Sequence, residues 1–142
     1  MFLVLPCWLF AQNRYDRPPH IVDQSFHNDY PKANATHWHK YHGQWHADFN
    51  DPGEDGRGEM VAHYSERGRH IDSHIPYDLG DVPQPVVERA QSKYHGGSHF
   101  RYTKMESGEG NGFFQVRVNL HGRDHTVYMD EEGRERNYDD RH

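Results

Sequence analysis

The chain is poor in the groups that carry most protein chemistry. Among its 142 residues there is one cysteine, Cys7. A structural disulfide, a thiolate-ligated metal and dithiol redox chemistry therefore lack their raw material. Cations are short as well: 16 Lys and Arg stand against 22 Asp and Glu, a formal charge of −6. With no basic stripe to neutralise phosphates, nucleic acid is excluded as an expected partner. There is no G-x-S-x-G elbow and no phosphate-binding glycine loop, so the chain is read as non-enzymatic. The apolar run MFLVLPCWLFA at 1–11 is too short to span a bilayer, which takes about 20 residues.

That run matches the apolar core of a secretory signal peptide, cut after Ala11, with its basic leader missing. The alternative is an N-terminal strand; a lipoprotein role for Cys7 is disfavoured by Pro6. The expected organisation is a signal-peptide remnant at 1–11, a linker and helix start at 12–23, one domain at 24–136 and a charged tail at 137–142. The expected location is periplasmic or secreted.

Hydrophobic residues are only 33% of the chain, but aromatics are 13%. Each aromatic buries far more area than Ala or Val, so a folded core is within reach and disorder is not the reading. The chain also holds 14 histidines. Below about pH 6 these protonate and the charge balance turns positive.

Ile21, Val22, Phe26 and Tyr30 mark one face of a short helix closed by Pro31. THWHKYHGQWHADF at 36–49 then reads as a β-hairpin turning at His42-Gly43, since Gly tolerates positive φ. This pairs Tyr41 with Gln44, Lys40 with Trp45, His39 with His46 and Trp38 with Ala47. Alternation sends Trp38, Trp45, Ala47 and Phe49 to the core, and His37, His39, Tyr41, His46 and Asp48 to the other face. NDPGEDGRG at 50–58 is a connection whose acidic residues miss the calcium-loop register. Two strands follow, 59–64 with Met60, Ala62 and Tyr64 inward, and 69–75 with His70, Asp72 and His74 outward.

DVPQPVVERAQSKY at 81–94 predicts a helix capped by Asp81, with Pro83 and Pro85 in its first turn. Three more strands are expected at 99–105, 113–120 and 125–130, and the tail from Arg134 is expected to fray. Aligning Gly68 with Gly133 lays Met60, Ala62 and Tyr64 over His125, Val127 and Met129, and SERG over DEEG. This is a possible half-repeat.

The segments FHNDYPKANATHW (26–38), VAHYSERG (61–68), IPYDLGDVPQPVVERAQSKY (75–94) and VYMDEEG (127–133) are similar to motifs of the PepSY-like family. That family of small exported bacterial domains is also described as β-lactamase-inhibitor-like. One departure is the first strand end, Tyr64-Ser65, where Tyr or Phe followed by Asp is usual. The resemblance implies an α+β fold: an antiparallel β-sheet with helices packed on one face. It implies no catalytic residues.

The outward histidines support two readings. In the first, the chain is a binding module that takes a protein or cell-envelope partner through Tyr41, His37, His39 and His46, an aromatic and imidazole composition that interfaces favour. In the alternative, His37, His39, His46, His63, His70 and His74 bind or buffer a divalent metal such as Zn, Ni or Cu. A recurrence of histidine at His95, His99, His121 and His125 fits a plain compositional habit instead.

Overall fold

A computed structural model describes residues 17–52, 58–110 and 112–137. The signal-peptide reading, the tip of the 50–58 connection and most of the charged tail lie outside the described residues. The element order is α1 (His20–Asp29), β1 (Asn34–Tyr41), β2 (Gln44–Asn50), β3 (Met60–Ser65), β4 (His70–Tyr77), α2 (Gln84–Lys93), β5 (Ser98–Ser107), β6 (Gly112–Leu120), β7 (Arg123–Met129) and β8 (Glu135–Arg136). All eight strands form one open antiparallel sheet in chain order.

The hairpin forms as the sequence predicts. His42 and Gly43 take φ of 48° and 74°, a pair of left-handed residues whose twist matches that of the flanking strands. The register is Tyr41–Gln44, Lys40–Trp45, His39–His46 and Trp38–Ala47. His121 and Gly122 make the same pair of φ angles, 53° and 78°, between β6 and β7.

The core falls into two clusters. Val22 and Phe26 of α1 pack with Trp45, Ala47, Phe49, Met60, Ala62, Tyr64 and Ile75. Rings dominate there: Phe26 meets Phe49 edge-on at 4.9 Å and Trp38 at 5.3 Å. The α2 cluster is mostly aliphatic, with Val86, Val87 and Ala90 against Val116, Val118, Val127 and Met129.

Ile21, expected on the packed face of α1, is exposed, and Val22 and Phe26 alone of that helix are buried. Three further expectations need correction. Asp81 does not cap α2; the helix starts after Pro83, with no side-chain cap. The reason is local, because a proline disfavours helical backbone in the residue before it, and Val82 is accordingly extended at φ −75°, ψ 135°. The segment from Arg134 does not fray at once: Glu135 and Arg136 pair with Met129 and Tyr128 as β8, and Glu135 bridges Arg89 and Lys93 of α2. His70 leaves the outer face. A bulge between β3 and β4 sets Tyr64 opposite His70 but His63 opposite Asp72, so the alternation slips there by one residue.

Candidate imidazole cluster on the sheet

Strand register assembles the site. His39 on β1 faces His46 on β2, His46 faces His63 on β3, and His63 faces Asp72 on β4. His74 stands two residues along from Asp72, opposite Val61. The resulting row of imidazoles is continuous, with ring centroids 4.9 Å apart for His39–His46, 4.1 Å for His46–His63 and 4.9 Å for His63–His74.

Exposure falls from His39 to His63 and rises again at His74, whose side chain is 34% exposed. The His39 side chain is 50% exposed, whereas that of His63 is 13% exposed. His39 Nδ1 lies 3.5 Å from Asp48 Oδ2. His63 Nδ1 is hydrogen-bonded to Asp72 Oδ1. His74 Nε2 sits 3.8 Å from Asp72 Oδ2, beyond hydrogen-bond reach, and is buried with no hydrogen-bond partner.

These surroundings set the charge states. Partial burial disfavours a charged His46, and the neighbouring His63 and His39 add to that, lowering its pKa to about 4. Burial alone would push the Asp72 carboxyl up. Its hydrogen bonding and its attraction to His63 and His74 outweigh this, and hold it well below the usual carboxylate range. The cluster therefore sets one firmly ionised carboxylate beside an imidazole that stays neutral near pH 7.

The predicted site residues divide. His39, His46, His63 and His74 come together. Tyr41 stands at the rim, 60% exposed, with its ring 4.0 Å from that of His42 and 5.9 Å from that of His46. His37 is opposite Asp48, in the next row. His70 is taken out of the set: its Nε2 is 2.7 Å from the buried Ser73 Oγ, and its ring stacks on Tyr64 at 5.1 Å. Asp72, which alternation places among the histidines, proves to be the group that His63 and His74 share. A cleft of about 600 Å³ runs from Tyr41 and His46 past Asp72 and His74 to Met105 and Phe113. Those last two walls come from β5 and β6, and only the register of β4 with β5 brings them to the histidines.

Among the described residues, no helix is long and apolar enough to cross a membrane. No family model matches the chain, and no curated protein matches it in sequence. Solved structures match in fold. A BLIP-like protein from Bacteroides fragilis superimposes with a TM-score of 0.74 at 20% identity, over 87% of this chain and 86% of that one. A protein from Bacteroides eggerthii, inferred to be periplasmic, gives 0.76 at 15% identity, over 86% and 88%. A DUF2874 family protein from Bacteroides ovatus gives 0.71 at 20% identity, over 83% and 84%. At these identities the similarity is one of fold: the chain has a BLIP-like fold, and the PepSY-like assignment itself gains no separate support.

Proposed function

We propose that the chain is an exported, non-catalytic binding module that takes a protein or cell-envelope partner on the imidazole-bearing face of its sheet. Val22 and Phe26 of α1 and Val86, Val87 and Ala90 of α2 pack on strand residues that alternate with the outward ones. On this reading both helices cover one face and leave the other open. The observation that carries the proposal is the cleft of about 600 Å³ on that open face. It joins the exposed Tyr41 ring, the imidazole row, a thioether and the Phe113 ring, and interfaces are enriched in such amphipathic groups.

Export rests on the apolar N-terminal run, and a structural neighbour inferred to be periplasmic is in keeping with it. The BLIP-like neighbour supports a protein as the class of partner. It lends no target, because a shared fold does not carry a shared function.

The test is capture from a cell-envelope extract by the immobilised chain, run beside a Tyr41→Ala/His46→Ala variant of matched thermal stability. A partner retained by the parent and lost by the variant is the expected result. Equal retention by both chains, or retention by neither, would sink the proposal.

A further inference from the structure

We infer that His63, Asp72 and His74 form a binding site for one divalent transition-metal ion in the floor of the cleft. One ligand atom from each of the three lies within 4.8 Å of the other two. Donors around a bound zinc stand about 3 to 3.5 Å apart, given metal–ligand lengths of about 2.0 to 2.2 Å. Small side-chain rotations therefore close the set. The backbone beneath it is rigid, since β3 is paired on both sides by β2 and β4, and β4 on both sides by β3 and β5.

The local hydrogen bonding points to a ligand. His74 Nε2 is buried and unsatisfied, which is costly for a polar atom without a partner. Asp72 turns Oδ1 to His63 and Oδ2 toward His74. A cation placed among them gives His74 Nε2 a partner. On His63, moving the ring proton from Nδ1 to Nε2 frees the Nδ1 lone pair for the metal and leaves the ring neutral. Asp72 supplies the negative charge.

Two imidazole nitrogens and one carboxylate suit zinc, nickel or copper. Calcium and magnesium prefer all-oxygen shells and are poor matches. His46, its ring 4.1 Å from that of His63, stands where a fourth protein ligand would enter. The site is narrower than the histidine count suggests: His70 is held by Ser73 and Tyr64, and His37 lies across from Asp48.

The full chain, stripped with EDTA, is titrated with zinc and separately with magnesium by calorimetry at pH 7.5. We expect one zinc per chain with a dissociation constant tighter than about 100 µM, and no magnesium heat. His63→Gln, His74→Gln and Asp72→Asn should each weaken zinc by about 10-fold or more, whereas His37→Gln should not. Each variant is also melted with and without zinc, so that misfolding is told apart from lost binding. Zinc should raise the melting temperature of the parent, and raise that of folded His74→Gln by clearly less. Binding weaker than about 100 µM, or binding that His63→Gln and His74→Gln leave unchanged, would overturn the inference.

Discussion

Phe26 of α1 and Ala90 of α2 occupy the same position in their helices, and both are fully buried. Each helix is followed by a tyrosine, Tyr30 or Tyr94, whose backbone N–H donates to the carbonyl of that buried residue. Each helix also begins against a left-handed glycine. A β-carbon on Gly68 would lie 2.8 Å from the Ile21 carbonyl oxygen, and one on Gly133 would lie 2.5 Å from that of Pro85. Ser65 and Asp130 hold the two turns from equivalent places, with Oγ accepting Arg69 N–H at 3.0 Å and Oδ1 accepting Arg134 N–H at 2.9 Å. The backbone joints are thus repeated while their filling differs. The first half is packed with rings and carries imidazoles outside. The second is packed with aliphatic groups, and its other face pairs Arg101 with Arg117 and Arg117 with Thr126. The two halves share these contacts of backbone with backbone and differ in their side-chain content.

The sharpest way to break this equivalence is Phe26→Ala, which installs in α1 the residue α2 already has. The second half is closed around Ala90, but the first is built around the ring, with Trp38, Tyr30, Phe49 and Tyr64 against it. We expect a loss of about 3 to 5 kcal/mol in urea unfolding, from lost burial and the cavity left behind. A loss below about 1 kcal/mol would mean that the first half repacks as the second does. Gly133→Ala comes next, at about 2 to 4 kcal/mol, because positive φ and the approach to Pro85 both oppose a side chain. Gly68→Ala should cost somewhat less, its contact with the Ile21 carbonyl being looser. Equal stability of both alanine variants and the parent would show that the two joints do not position the helices.

Smaller again is the difference between the turn residues. Asp130 accepts the backbone N–H groups of Glu132 and Arg134 and also pairs with the Arg134 and Arg136 side chains. Asp130→Ala should cost about 1 to 2 kcal/mol, and Ser65→Ala, which removes one exposed hydrogen bond, less than about 1. If the two losses match in chemical denaturation, the arginine pairs add nothing.

Much of this was legible in the sequence. Alternation of Trp45, Ala47 and Phe49, and of Met60, Ala62 and Tyr64, determines which side of the sheet is dry, and His-Gly sets the hairpin register. The glycine echo at Gly68 and Gly133 was legible too, although not its cause, which is a helix carbonyl remote in sequence. His70 was misassigned because period-2 reading assumes an unbroken ladder, and nothing local in RGRHIDSH marks the bulge. Alternation places Asp72 among the histidines, as it does Asp48, but what makes Asp72 central is the pairing of β3 with β4 and not its neighbours in the chain. Met105 and Phe113 were missed as cleft walls for the same reason: they belong to the other half.

The outer faces offer the finest test. The second half carries Arg101 and Arg117 there, and the first carries the imidazole row. His46 is faced by His39, His63, His74 and Asp72, and its folded pKa of about 4 lies below the unfolded value of about 6.5. Between those values the unfolded chain binds the extra proton, so this contribution to stability is present above about pH 6.5 and is lost as pH falls toward 4. The ring is partly open to water, which reduces the effect to about 1 kcal/mol. Asp72, held below its ordinary range, adds a second loss that begins only under about pH 4. In EDTA, the parent should therefore lose stability in two stages on acidification. His46→Gln should remove the first and keep the second. A variant whose stability falls between pH 6.5 and 4 as steeply as the parent's would place the acid-sensitive group elsewhere on the sheet.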